Sequence, residues 1–266
     1  MTALHYVEHG TGTPVLALHG WTVDHQIMTG CLEPLFGTRP GYRRIYPDLP
    51  GMGKSPAPES MASSDDLLQA VLDFLVEIIG DAQFLLVGES FGGYLARAVA
   101  AARPGQVAGL ALICSVGAAV EFTGRTLPAK PVLRPDPDLI ASLEPDEAAE
   151  FGDVAVVQSP ETLRRFRAEV APGLAQFDQS ATDRMQQRRS LSADPEAGAP
   201  FERPSLILAG RQDDNVGYVD QFALLPHYPR ATFAVLDVAG HNLQIEQPVL
   251  FEALVYVWLD RVEAER

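Results

Sequence analysis

The sequence predicts an α/β fold: a doubly wound, mostly parallel sheet with an inserted helical cap. Three observations predict it. Short, continuously apolar runs recur at Pro14–Leu18, Phe84–Val87, Val107–Cys114 and Leu206–Ala209, and helix-like stretches alternate with them. Strands buried on both faces have this character, and strands that alternate with helices form parallel sheets. The alternation stops near residue 117 and resumes near residue 204. Finally, Gly88-Glu89-Ser90-Phe91-Gly92 directly follows one of the strands, as at a sharp strand-to-helix turn. With 266 residues, 47% of them hydrophobic, the chain is long enough for one large core carrying an insertion. Residues 1–116 and 204–266 are assigned to the core, and 117–203 to the cap.

Taken in order, residues 2–8 read as an edge strand turned by Gly10-Thr11-Gly12. Pro14–Leu18 is a buried strand ending at His19-Gly20-Trp21. A short helix spans 24–36, and a strand runs from Tyr42 to Tyr46. The loop after it, Asp48 to Ser55, ends in Gly53-Lys54-Ser55 and invites a phosphate-loop reading. That pattern needs glycine five positions before Gly53, where Asp48 stands, and Pro56 and Pro58 follow at once, so a tight turn is expected instead. Ser63 caps the next helix with Asp66 three residues on. Leu67, Val71, Leu75 and Ile79 share one face of that helix, and Gly80 stops it. After the Ser90 strand comes an Ala-rich helix closed by Pro104-Gly105.

The insertion begins with a proline-rich hinge at 128–137. Helical spacing follows across 144–157, 160–170 and 174–191, with acids concentrated in 136–153 and arginines after 164. These charges read mainly as a solvated face. Beyond residue 204 come a strand at Leu206–Ala209, a helix from Tyr218 to Leu225, a strand from Phe233 to Leu236, and a last helix from Val249 to Val262.

A serine hydroxyl is a weak nucleophile. It needs a base, and the base needs an acid to fix its tautomer. In a parallel sheet, functional loops gather beyond the carboxyl ends of the strands. Just past two such ends lie Gly210-Arg211-Gln212-Asp213-Asp214 and Gly240-His241. The order Ser90, Asp213, His241 is the one expected for a G-x-S-x-G nucleophile. The backbone N–H of Phe91, and that of Trp21 after an earlier strand, would hold a tetrahedral oxyanion. His5, His9, His25 and His227 have no such context and read as ordinary. A neutral His241 would place the acid limb of activity near pH ~6–7.

Together, His19-Gly20-Trp21, Asp48-x-x-Gly51-x-Gly53-x-Ser55, Gly88-x-Ser90-x-Gly92, Gly210-x-x-Asp213 and Gly240-His241 resemble the α/β-hydrolase fold superfamily, over nearly the whole chain. The resemblance implies a serine hydrolase of small carboxylic esters or related acyl bonds. Lactonases, perhydrolases and C–C hydrolases acting on dienoates stay open, as does a ligand-binding or signalling protein with little turnover. Dehalogenases and epoxide hydrolases of this fold use an aspartate nucleophile, where this chain has Ser90. Proline iminopeptidases of the fold usually carry a longer Gly-rich oxyanion loop than Gly20-Trp21. A cap over Ser90 would make a closed pocket for a small, mostly apolar substrate, with Val23, Val116, Val216 and Leu243 as its expected walls.

No cofactor or metal is expected, since Asp213, Asp214 and His241 lack zinc-type spacing. A net charge of -15 excludes a nucleic-acid partner, which needs a basic face, and disfavours anionic membranes. A second copy of the chain, as a homodimer, is the one protein partner kept in view. Two cysteines are too few for a disulfide framework. With no apolar stretch of membrane-spanning length and no basic-then-apolar leader, a cytoplasmic location is expected.

Overall fold

The computed structural model describes residues 3–129 and 131–265. Thr2 of the expected edge strand lies outside the described residues. Seven strands form one sheet: β1 (Tyr6–His9), β2 (Thr13–Leu18), β3 (Tyr42–Pro47), β4 (Phe84–Glu89), β5 (Val107–Ile113), β6 (Ser205–Gly210) and β7 (Ala231–Leu236). Their spatial order is β1-β3-β2-β4-β5-β6-β7, with β1 antiparallel to β3 and every other neighbour parallel. The carboxyl ends of β2, β4, β6 and β7 therefore open on one edge. This is the edge where the motif residues sit in the sequence.

Every residue of β4 and β6 is buried, which explains their unbroken apolar runs. The core helices are α1 (Gln26–Phe36), α2 (Ser64–Ile78), α3 (Ser90–Ala102), the short α10 (Leu243–Glu246) and α11 (Pro248–Glu263); α1, α3 and α11 pack directly on the strands. Ser63 caps α2, its side chain accepting from the Asp66 N–H, as the sequence implied. In α11, Trp258 is fully buried and its Nε1 donates to the Pro204 carbonyl. The region from Tyr218 to Leu225 is shorter than expected: one helical turn, α9 (Val219–Phe222), precedes a 3-10 turn at Leu225–His227.

Residues 117–203 fill the gap between β5 and β6 with α4 (Pro137–Ala141), α5 (Pro145–Val154), α6 (Pro160–Glu169), α7 (Ala171–Leu174) and α8 (Gln179–Gln186). The helix expected over 174–191 is confined to α8, because Asp178 caps a fresh start by accepting from Ala181 N–H. The proline-rich hinge runs directly into α4, since Asp136 accepts from Leu139 N–H and Pro137 suits a first helical position. Arg97, buried in α3, fastens both ends of the insertion. Its Nη1 donates to the carbonyls of Val116 and Gly117, and its Nη2 pairs with Glu196 at 2.6 Å.

The loop after β3 is built on Asp48. Its buried carboxylate accepts from the His25 and Lys54 N–H groups and from the imidazoles of His5 and His25. His5 and His25 are thus not the ordinary histidines the sequence suggested. Their partner lies 43 and 23 residues away, and nothing local announces it. Among the described residues, no helix is long and apolar enough to cross a membrane.

Burial works to raise the Asp48 pKa. The bonds from His25 and Lys54 outweigh it and hold the carboxyl well below the usual carboxylate range. Asp48→Ala should cost at least about 2 kcal/mol, because two backbone donors lose their acceptor. A group with a depressed folded pKa loses its contribution as pH falls. The stability gap between wild type and variant, measured by urea unfolding, should therefore be full at pH 6 and shrink below about pH 4.

Candidate active site

Ser90 stands at the junction of β4 and α3. It adopts φ 52°, a left-handed conformation that costs a non-glycine residue on the order of 1–2 kcal/mol. The strain is maintained by close packing behind the turn. A Cβ on Gly92 would lie 2.3 Å from the carbonyl oxygens of Leu18 and His19, and one on Gly88 would lie 2.5 Å from that of Gly92. Only glycines let α3 come this near to β2. The amino end of α3, with its unpaired N–H groups, sits at Ser90.

Two further strand ends complete the group. Past β6, Asp213 is buried, and its Oδ1 accepts from the N–H groups of Asn215 and Val216. Past β7, His241 donates from Nδ1 to Asp213 Oδ2 at 3.0 Å. That leaves Nε2 to accept the Ser90 hydroxyl proton across 2.9 Å. The structure thus brings together Ser90, Asp213 and His241. The histidine loop is clamped by residues that sequence reading passed over. Gln212 bonds Ala239 through both its backbone N–H and its side-chain oxygen. Glu246 accepts from Gly240 N–H and, on the insertion, from Val156 and Val157 N–H.

Glu89 is the acid that the motif hid in a wildcard position. It is 2% exposed; Oε1 lies 3.5 Å from His241 Nε2, and Oε2 has no hydrogen-bond partner. Burial raises its pKa to about 7, against the pull of His241 and with the Asp213 charge adding to the rise. His241 responds in the opposite sense. Burial works to lower its pKa, but Asp213 and then Glu89 outweigh it and hold the imidazolium up to about 9. Asp213 stays low despite burial, through the His241 charge and its hydrogen bonds.

The loop after β2 is fixed by His19. Its Nε2 accepts from Leu49 N–H, so Nδ1 carries the proton and donates to the Gly20 carbonyl. Burial lowers its pKa, and it is neutral. The backbone N–H groups of Trp21 and Phe91 form no hydrogen bond among the described residues. The two rings meet edge-on at 4.9 Å.

A cavity of about 180 Å³ opens on Ser90 and His241. Its floor is Gly20, Trp21, Val23, Ile27 and Glu89, and its far wall is Phe122, Val154, Val170, Leu174 and Arg189 of the insertion. Of the expected wall residues, Val23 is present, while Val116, Val216 and Leu243 do not line the cavity. Val116 lies beneath the turn, its N–H bonded to the Ser90 carbonyl. Val216 is buried beside Asp213, and Leu243 opens α10 with no exposure. Closeness in sequence to a motif residue did not fix the direction of these side chains. The apolar wall comes instead from the insertion, where no motif marks it. A larger cleft of about 630 Å³, beside Tyr94, Arg97 and Glu196, contains none of the three motif residues.

Among the described residues, two groups of metal-competent side chains converge within 4.8 Å: His5 with His25 and Asp48, and Cys114 with Asp213 and His241. In each, the histidine Nδ1 is already bonded to the carboxylate.

Residues 13–248 match the family model described as alpha/beta hydrolase fold. The chain belongs to the α/β-hydrolase family. An α/β superfamily hydrolase from Oenococcus oeni PSU-1 is 30% identical, with a TM-score of 0.90 over 98% of this chain and 96% of its own. A 2-hydroxymuconate semialdehyde hydrolase of Pseudomonas putida is 28% identical over 99% of this chain and 92% of its own length. An esterase from Rhodococcus sp. ECU1013 superposes at a TM-score of 0.75 over 98% of this chain and 96% of its own; at 23% identity, that likeness is one of fold.

Because Asp213 and Glu89 lift His241, the acid limb of kcat/KM should lie above the ordinary histidine value of about 6.5 rather than near it. Glu89→Gln removes a negative neighbour of the imidazolium and should lower that limb by about one unit or more. A pH profile on p-nitrophenyl acetate measures both, and a limb that stays put in the variant would show that Glu89 exerts no field on His241.

Proposed function

We propose that this protein is a serine hydrolase of small carboxylic esters that works through an acyl-enzyme. The observation that carries the reading is the unbroken hydrogen-bond chain from Asp213 through His241 to Ser90, opening on a small cavity walled in part by the insertion. Ser90 attacks the ester carbonyl as His241 takes its proton. Asp213 holds the Nδ1–H tautomer and stabilises the imidazolium. The free N–H groups of Trp21 and Phe91 receive the oxyanion. His241 then protonates the leaving alcohol and activates water for deacylation. The substrate is small and mostly apolar, in keeping with the cavity size and the Val23, Ile27, Val154, Val170 and Leu174 walls. Two free, buried cysteines, Cys31 and Cys114, suit a reducing compartment, and we place the enzyme in the cytoplasm.

A second reading has one specific support. The Pseudomonas putida relative, aligned over nearly the whole chain, is a 2-hydroxymuconate semialdehyde hydrolase. The same triad could serve C–C cleavage of a dienoate.

Ser90→Ala should keep the fold, by circular dichroism, and lose on the order of 10⁴-fold or more in kcat on short p-nitrophenyl esters. Asp213→Asn should cost several orders of magnitude through the wrong His241 tautomer, on the order of 10⁴. Asp214→Asn should cost little by comparison. Across a panel of acyl lengths, kcat/KM should rise over the first few carbons, gaining about 0.8 kcal/mol per CH₂, and then fall as the cavity fills. A dienoate cleaved much faster than every ester would make the second reading the function.

A further inference from the structure

The insertion brings one cation to the cavity, and it is conspicuously uncompensated. Arg189 is 4% exposed and lines the same cavity as Ser90 and His241. Its Nη1 donates to Gln186 Oε1 at 2.6 Å, and its buried Nε has no partner. Other buried arginines are treated differently. Arg97 is paired with Glu196, and Arg165 with Glu169, each at 2.6 Å. No carboxylate lies within ion-pair distance of Arg189 among the described residues. The chain has 35 acidic residues against 20 basic ones, so the missing partner does not reflect a shortage of acids. Glu121, within electrostatic reach, is exposed and accepts from Ser190 Oγ.

A buried charge without a counter-ion is costly, and a second cation adds to the cost here. Arg125 stands close enough to repel Arg189, and its own Nε is also buried without a partner. Burial, then Arg125, lowers the Arg189 pKa to about 10, which leaves it charged at neutral pH. The guanidinium carbon lies 5.1, 5.0 and 4.8 Å from the ring centroids of Trp21, Phe91 and Phe122. Those rings favour a cation but do not take the place of an acceptor for its N–H groups. Its backbone is held on both sides. Ser64 donates from its N–H to the Arg188 carbonyl and from Oγ to the Arg189 carbonyl, and Tyr94 accepts from Leu191 N–H. The backbone that carries the cation is therefore anchored, and the guanidinium faces the cavity it shares with Ser90.

We propose that Arg189 is a carboxylate-recognition site, and that the substrate is an ester carrying a free carboxylate on a short acyl chain. This rests on the ester-hydrolase reading and narrows it: the walls are apolar, but the ligand is an anion. Arg189 takes the carboxylate while the scissile carbonyl lies at Ser90. The small cavity limits the spacer between them to a few carbons. The carboxylate supplies the acceptor that the free protein lacks, in the planar geometry a guanidinium fits best.

The test compares mono-p-nitrophenyl glutarate with p-nitrophenyl valerate, two esters of similar length that differ in the terminal charge. Wild-type kcat/KM should favour the glutarate ester by about 10-fold or more, and Arg189→Gln should reduce that ratio by at least about 10-fold. A wild-type preference for valerate, or a ratio unchanged in the variant, overturns the proposal. A binding arm needs no turnover. Glutarate should bind Ser90→Ala in calorimetry, and Ser90→Ala/Arg189→Gln should lose that binding; equal binding to both overturns the proposal. If no ester is hydrolysed but this loss is seen, the ester reading fails and the carboxylate site stands. An arm without an Arg189 substitution covers a variant that does not fold. Glutarate should raise the thermal midpoint of the wild-type protein, and glutaramide, its neutral isostere, should not; an equal rise from both overturns the assignment.

Discussion

The closeness of α3 to β2 is the constraint on which the site depends. At Gly92 the helix backbone passes where any side chain would collide with the carbonyls of Leu18 and His19. That approach holds Ser90 in a left-handed conformation that an isolated serine would avoid. It also places the start of α3 against the loop after β2, so the N–H groups of Trp21 and Phe91 come from two different elements. The strain is small beside the packing of a helix buried from Ser90 to Ala100. A locally unfavourable geometry is thus imposed by the global fold, as is usual where backbone strain serves a site.

Around that turn, charge is organised by depth rather than by quantity. The surface carries most of the acid excess. Inside, three ionisable groups set the pattern by being placed against specific neighbours. Asp48 gathers two imidazoles and two backbone donors, Asp213 gathers His241 and two backbone donors, and Arg97 gathers Glu196. Against this pattern, the free oxygen of Glu89 and the free Nε of Arg189 stand out, and both groups line the cavity. Among the described residues six buried side-chain atoms lack a partner, and these are the two that line the cavity, where a bound ligand would supply what they lack.

The core was legible in the sequence because the signals there are local. Apolar runs gave the strands, and glycine spacing gave the Ser90 turn. The position of Asp213 and His241 just past strand ends gave their convergence, since a parallel sheet brings all such ends to one edge. The rest depended on direction and distance. Val116, Val216 and Leu243 sit near motif residues in the chain but turn into the core, and the far wall of the cavity comes from residues 122 to 189. Glu89 was hidden because its position in the motif accepts any residue. Its significance lies in the 3.5 Å to His241, which no spacing rule conveys. Arg189 read as one of several arginines on a solvated face. Its burial follows from Trp21, Phe91 and Phe122 meeting around it, and their order in the chain gives no hint of that.

Arg97 has a consequence for how ligands reach Ser90. By holding the carbonyls of Val116 and Gly117 together with the Glu196 carboxylate, one guanidinium ties the start of the insertion to its end. The two strands of a would-be hinge are knotted at their base. Further bonds run from the body of the insertion to the core, from Val156 and Val157 N–H to Glu246 and from Asp178 N–H to the Gly51 carbonyl, and a swing of the whole segment as a rigid flap would break them. Traffic through the roof must instead come from small local displacements within it. Half-exposed Phe122, on the rim, is the side chain best placed to make one. The roof then acts as a sieve of fixed mesh, and its selectivity is set by the size of what passes rather than by the energy of opening.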